Sequence, residues 1–368
     1  MHFFFPDNYR WSYNTLLAFS AGAEIGDFGT ILPELSKNVG DDEAWRDGWL
    51  ALAHVLEARA QGKTGITRSE DMFLASLYHT ISEHFINPND PRRLEGYHEV
   101  LRCFEQARAA APFKMERVLV PFEGTTLPAY FMPAIGRTGP RPTSIFVCGL
   151  DTTKELWFLR AREQFALRGV NCLFLDTPGV GEALRLQKLY TRHDYERPVG
   201  AAIDYLLTRP EVDAARIGLV GSSLGGYYAA RAAAFEPRLR ATIAWGAIYD
   251  YHRVWVQRMA GNGASAAPTF QLMFITGKST MEAAIEHVSQ FKIAGFADRI
   301  TQPFLIMHGA EDLQVPLSDA QSMYESVASE DKELVIFDGK NGGAAHTQFD
   351  NHRPALHYAA DWMQQKLA

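Results

Sequence analysis

Ile217-Gly218-Leu219-Val220-Gly221-Ser222-Ser223-Leu224-Gly225-Gly226 is the stretch on which the reading of this chain turns. An apolar run leads into the pattern G-x-S-x-G, and Tyr227 to Phe235, with helical texture, leads out. A strand, a sharp turn and a helix in that order put the middle serine at the apex of a strained bend. The glycines two before and two after it leave room for neighbouring backbone. Ser223 therefore has the context of a nucleophile, whereas Ser222 lacks the symmetric glycines. The competing reading is structural: glycines that merely let a strand and a helix pack closely.

A serine hydroxyl attacks only when a base takes its proton and a third group orients that base. After such a turn the partners follow in the order acid, then histidine. The apolar run Pro303-Phe304-Leu305-Ile306-Met307 ends in His308-Gly309-Ala310-Glu311-Asp312, and Leu334-Val335-Ile336-Phe337 is succeeded by a glycine-rich loop reaching His346. Asp312 is the expected orienter and His346 the expected base. Glu311 is the rival acid, and capping of a helix from Ser318 is the alternative role for Asp312. His352 and His357 are weaker bases, and His308 reads as a structural residue at a strand end. The oxyanion hole calls for the Leu224 N–H plus one from the loop Gly149-Leu150-Asp151-Thr152-Thr153-Lys154-Glu155, with Leu150 or Asp151 as donor. Thr152 and Glu155 also have capping-box spacing, so helix capping is the second reading for Asp151 and Thr152.

Short β-rich runs frame these motifs: Arg117 to Val120, Leu127 to Met132, Ser144 to Cys148, Asn171 to Leu175, Arg216 to Val220, Ala241 to Trp245, Pro303 to Met307 and Leu334 to Phe337. The first two predict a hairpin around Glu123-Gly124. The rest alternate with helical segments, which predicts an α/β architecture: a mostly parallel, doubly wound sheet covered on both faces. Residues 1–112 read instead as a helical cap or dimerisation domain, and residues 113–368 as the sheet domain. Trp45, Trp49, Leu52 and Leu56 form one helical stripe. A second helix is expected from Thr67, with Glu70 completing a capping box and Leu74, Leu77, Ile81 and Phe85 on its face. In a third, capped by Asp90 with Pro91 following, Leu94, Tyr97, Leu101 and Phe104 share a face. An insertion at about 250–300 would lie as a lid over the strand ends, where such sheets hold ligands. Tyr249, Asp250 and Trp255 are the expected substrate contacts there, Asp250 having helix capping as its other reading.

Across 368 residues the net charge is −7, which argues against nucleic acid and anionic membranes as partners and for a small-molecule substrate. Cys103, Cys148 and Cys172 are too few and too scattered for a disulfide framework, and the expected location is the cytoplasm. The opening MHFFFPDNYRW is apolar for only a few residues, has no positively charged start and contains Asp7, so it does not read as a secretory signal. Gly277-Lys278-Ser279 resembles the tail of a phosphate loop, but Leu272 stands where its first glycine belongs. Asp176-Thr177-Pro178-Gly179-Val180-Gly181 lacks the dinucleotide pattern and reads as a loop beside the site. His346, Asp350 and His352 are spaced for a metal, yet no further ligand supports one, so neither metal nor cofactor is expected.

Taken together, the Leu150 loop, Asp176-Thr177-Pro178-Gly179, the Ser223 turn, His308-Gly309-Ala310-Glu311-Asp312 and Gly343-Ala344-Ala345-His346 resemble α/β-hydrolases with an N-terminal helical domain. That group includes bacterial 2,6-dihydroxypseudooxynicotine hydrolase and fungal hydrolases that shorten polyketides. The resemblance implies the α/β-hydrolase fold and cleavage of a carbon–carbon bond beside a ketone, without metal or cofactor and often as a homodimer. An ester or thioester hydrolase, or an acyl-transfer enzyme, would use the same three residues.

Overall fold

The computed structural model describes residues 4–150 and 152–368. The chain opens with helices α1 (Tyr9–Ser20), α2 (Ile25–Lys37), α3 (Asp42–Ala60), α4 (Gly65–Glu83) and α5 (Pro91–Ala110). The α3 stripe is buried as its spacing predicts: Trp45 and Trp49 pack against Trp11, Phe28, Tyr78 and Phe85 at centroid distances of 5.0, 5.7, 5.4 and 5.2 Å. Each such pair adds roughly 0.5–1.5 kcal/mol beyond simple burial. Two local expectations shift. Helix α4 begins at Gly65 rather than Thr67, which leaves Thr67 and Glu70 inside the helix instead of capping it. In α5, Asp90 caps as expected, accepting from the Arg92 N–H at 2.9 Å, but the buried face is Tyr97, Val100, Cys103, Phe104 and Ala107. Leu94 remains 40% exposed. The cause is close docking on α4, whose Ser69 and Ser76 hydroxyls donate to the carbonyls of Ala107 and Val100, turning that side of α5 inward.

The strands are β1 (Glu116–Phe122), β2 (Thr125–Met132), β3 (Arg141–Val147), β4 (Asn171–Leu175), β5 (Val212–Ser222), β6 (Leu239–Trp245), β7 (Phe304–Gly309) and β8 (Lys332–Phe337). They form one sheet in the order β1-β2-β4-β3-β5-β6-β7-β8. The β1–β2 and β2–β4 pairings are antiparallel and the others parallel. Glu123 and Gly124 take φ of 45° and 81°, the left-handed pair that a two-residue hairpin with properly twisted strands requires.

Crossovers supply the outer layers. Helices α6 (Lys154–Ala161) and α7 (Gln164–Leu167) join β3 to β4; α8 (Gly181–Arg185) and α9 (Glu196–Leu206) join β4 to β5; α10 (Leu224–Phe235) follows β5. Between β6 and β7 run α11 (Tyr251–Met259), α12 (Phe270–Thr276) and α13 (Met281–His287), and α14 (Leu317–Ser326) and α15 (His352–Lys366) complete the chain. The helical N-terminal segment docks through aromatic contacts, Phe104 on Tyr130 at 4.8 Å and Phe73 on Phe158 at 5.1 Å. Gly277 closes α12 in a left-handed cap, so the segment that resembles a phosphate loop is a helix terminus. The three cysteines are buried and unpaired, and among the described residues no helix is long and apolar enough to cross a membrane.

Winding reverses at β3, which lies between β4 and β5, and Val147 pairs with Gly221. The turns leaving β3 and β5 therefore emerge side by side at the carboxyl edge, the position where doubly wound sheets bind ligands.

Candidate active site

Ser223 sits between β5 and α10 with φ 61° and ψ −122°, a strained conformation for a residue with a side chain. The surrounding glycines are explained by contact. A Cβ at Gly221 would stand 1.9 Å from the Gly225 carbonyl oxygen, and one at Gly225 would stand 2.7 Å from that of Val147. The Ser223 N–H donates to the Trp245 carbonyl at 2.7 Å, tying the bend to the neighbouring strand.

The expected partners arrive from the next strand ends. Ser223 Oγ–H donates to His346 Nε2 at 2.8 Å, and His346 Nδ1–H donates to Asp312 Oδ2 at 2.5 Å. The other Asp312 oxygen accepts from the Gln314 and Val315 N–H groups at 2.8 and 2.9 Å. Burial alone would raise the Asp312 pKa, but His346, His308 and the Val315 N–H hold it below the usual carboxylate range. Glu311, the rival, is exposed and its side chain is not the one that meets His346. His308 is structural as expected: its Nε2–H donates to the Val315 carbonyl at 3.1 Å, which steadies the turn that carries Asp312.

The loop bearing His346 is held from several sides. Asp350 accepts from the N–H groups of Ala344 and Ala345, Tyr13 donates to the His346 carbonyl at 3.0 Å, and Arg160 donates to that of Thr347 at 3.1 Å. These bonds sustain left-handed backbone at Thr347 and Gln348, with φ of 49° and 54°. His352 stacks on Trp245 and contacts Arg160 through Nδ1, while His346 is the histidine that meets Ser223. His346, Asp350 and His352 thus serve three separate tasks and do not converge as metal ligands.

Burial drives the pKa of His308 down, and burial together with the Arg160 charge drives that of His352 well down. Both stay neutral in the fold where the unfolded chain would bind a proton, so unfolding takes up protons below about pH 6.5. Stability is expected to fall as pH drops from 6.5 towards the depressed folded values. Denaturant titrations between pH 8 and 5 check this, and His352→Gln should flatten the slope.

The Leu224 N–H is the first of α10, so no intrahelical acceptor claims it. Gly149 packs against it so closely that a Cβ there would lie 2.6 Å from the Ser222 carbonyl oxygen and 3.1 Å from the Leu224 nitrogen. Leu150 then lines the cavity beside Ser223. Asp151, the alternative donor, lies outside the described residues. The helix cap that follows is Thr153, not Thr152: its hydroxyl accepts from the Leu156 N–H, while Thr152 Oγ1–H donates back to the Gly149 carbonyl. One residue of offset lets Thr152 tighten the turn and leaves capping to its neighbour.

Beneath this loop is a fully buried charge cluster. Lys154 Nζ reaches Glu155, Asp176 and Glu182 at 2.7, 2.9 and 3.0 Å, and Asp176 also accepts from the backbone N–H groups of Lys154 and Glu182. Burial alone would lower the Lys154 pKa, but the three carboxylates raise it well above the ordinary value. Gly181 is dictated by the same cluster, since a Cβ there would meet the Asp176 carboxylate at 2.2 Å. The Asp176 to Gly181 loop thereby anchors the loop carrying Leu150.

A small cavity opens over Ser223. Its walls come from the strand-end loops, from α1 and from the segment after β6. Of the three expected contacts from that segment, none lines it. Asp250 caps α11, accepting from the Arg253 N–H at 2.9 Å; the Tyr249 hydroxyl bonds with Ser326; Trp255 is buried in the core. Helix α11 turns Tyr251 and Arg258 to the cavity instead, with Ile248 just before it. Tyr13 and Asn14 of α1, Arg160 of α6, His84, Gln314 and Thr347 add polar lining that the sequence pattern did not single out. The sequence signal for the two arginines is Trp157-x-x-Arg160 and Trp255-x-x-Arg258, each one turn after a tryptophan and without a carboxylate three or four residues before it.

Similarity to known proteins runs along most of the chain. Residues 39–368 match the family described as esterase FrsA-like. The 2,6-dihydropseudooxynicotine hydrolase of Paenarthrobacter nicotinovorans is 30% identical over 298 residues, covering 79% of this chain and 77% of the relative. The 20-hydroxy-prefusarin hydrolase of Gibberella moniliformis is 24% identical over 392 residues, covering 94% and 93% of the two chains. The crystal structure of a 2,6-dihydroxy-pseudo-oxynicotine hydrolase superposes with a TM-score of 0.82 at 27% identity, over 96% of this chain and 95% of that one.

Proposed function

The chain belongs to the FrsA-like esterase family and is an α/β-hydrolase, and from that premise we propose that it hydrolyses a carbon–carbon bond beside a ketone, with Ser223, His346 and Asp312 as its catalytic triad. The observation that carries the triad is the unbroken relay from Ser223 Oγ through His346 to Asp312, opening into a walled cavity. Ser223 Oγ adds to the ketone carbonyl as its proton passes to His346, and the oxyanion is held by the Leu224 N–H and one from the Leu150 loop. On collapse, the carbon–carbon bond breaks. Its electron pair moves to the adjacent carbon, delocalised into a second carbonyl or an electron-rich ring, and that carbon takes the proton from His346. Water, activated by the same histidine, then releases the acid from Ser223. A carbanion leaves far less readily than an alkoxide, so only a substrate with such delocalisation suits this route.

Support for the ketonic substrate comes from the likeness to hydrolases named for 2,6-dihydropseudooxynicotine and 20-hydroxy-prefusarin. The family description favours a second reading, a carboxylester hydrolase with the same triad. A direct comparison separates them: 1-phenyl-1,3-butanedione is offered beside phenyl acetate, and products are resolved by chromatography. Turnover of the diketone to a carboxylic acid and a methyl ketone is the expected result. Cleavage of the ester with no diketone turnover transfers the assignment to ester hydrolysis.

A further inference from the structure

Two arginines line the cavity above Ser223, and among the described residues no aspartate or glutamate does. Arg160 is 4% exposed. Its Nη2 donates to the Thr347 carbonyl and contacts His352 Nδ1, both neutral partners, and its Nε has none. Aromatic rings surround the guanidinium, with Phe349 at 4.1 Å and Trp157 at 5.4 Å. Arg258, half-buried at the end of α11, donates to the Gln314 carbonyl at 3.0 Å, lies 5.0 Å over the Trp255 ring and likewise has a buried Nε without an acceptor. Neither arginine has a carboxylate within ion-pair range among the described residues, although the chain's other buried cations, such as Lys154 and Arg93, do.

Burying a guanidinium without a counter-charge is costly, because its lost hydration is not replaced. Two carboxylates lie near and both are committed: Asp350 takes the Ala344 and Ala345 N–H groups, and Asp312 takes two backbone N–H groups on one oxygen and His346 on the other. Asp312 must also balance the imidazolium formed in turnover. Neither guanidinium is therefore met by a carboxylate at the cavity wall. The simplest source of the missing negative charge is the substrate.

Resting on the hydrolase reading above, we propose that the cavity takes its substrate as an anion, with a carboxylate or ionised enol oxygen held by Arg258 and Arg160 acting as a fixed charge behind it. Arg258 is the contacting group because its helix projects it from the segment over the strand ends, whereas Arg160 is fixed by the His346 loop and the rings around it. A planar fork of N–H donors suits both kinds of oxyanion. For carbon–carbon cleavage the same field favours the enolate that departs.

The test is binding to Ser223→Ala by calorimetry at pH 7.5, which does not depend on turnover. One pair is 2-acetyl-1,3-cyclohexanedione, ionised at this pH, against its neutral enol methyl ether. The other is 4-oxo-4-phenylbutanoate against its methyl ester. At least tenfold tighter binding of the anion is expected in one pair, and the pair that shows it distinguishes an enolate from a carboxylate. Adding Arg258→Met should cut that preference below threefold, and Arg258→Lys should keep part of it, with circular dichroism confirming the fold of both. Equal affinities within both pairs, or no binding by any of the four, overturn the proposal, as does a preference that survives Arg258→Met. Loss of diketone turnover in the wild type with the anion preference intact would instead remove the carbon–carbon reading and leave this one standing.

Discussion

Ser223→Ala and His346→Ala are each expected to lower kcat by about 10⁴- to 10⁶-fold on the natural substrate, with the melting temperature little changed. The size follows from the two short bonds of the relay: without the serine there is no nucleophile, and without the histidine its proton has no acceptor 2.8 Å away. The two losses should not add, because the residues act as one unit, so the double variant should resemble either single one. Removing Asp312 leaves His346 without the partner that fixes its tautomer, but it also strips acceptors from the Gln314 and Val315 N–H groups. Asp312→Asn is therefore the cleaner probe of orientation. Single-turnover kinetics with whichever of the diketone and the ester the wild type turns over would check all four variants, and a Ser223→Ala enzyme within tenfold of wild type would refute the mechanism.

Lys154→Met is expected to destabilise the fold by about 3–5 kcal/mol, the usual consequence of removing one partner from a buried ion cluster. The side chains of Lys154, Glu155 and Asp176 are fully buried, and only Arg117 remains near Glu182 once the ammonium is gone. Burial and Asp176 already push Glu155 towards its protonated form. Without Lys154 the carboxylates must take up protons or open the cluster to water. Because Asp176 also ties the start of α6, the loop with Leu150 should loosen and kcat should fall along with stability. Urea titration measures the first effect. A variant that keeps wild-type stability would mean that water penetrates the cluster and screens it.

How much of this was legible in advance depends on the range of the interactions involved. The bend at Ser223 was readable because its requirements are local: a strained φ and close backbone contacts dictate glycine at fixed offsets. The order of Asp312 and His346 was readable because strand ends along one sheet edge follow in chain order. On α5 the expected Tyr97 and Phe104 are buried but Leu94 is not, since Leu94 is as apolar as Val100 and only the docking of Ser69 and Ser76 decides between them. For Asp250 the place after β6 admits both a pocket contact and a helix cap, and the structure has the cap, its carboxylate accepting from the first turn of α11.

By itself, then, the sequence determined the α/β architecture, the strained turn and the identity of the three relay residues, because backbone sterics and hydrophobic periodicity act over a few positions. Tertiary structure alone decided what surrounds them. Tyr13 reaches the His346 carbonyl across 333 residues of chain, and Arg160 the Thr347 carbonyl across 187. Whether a buried charge meets a carboxylate or a cavity depends on such long-range packing, which no short pattern encodes.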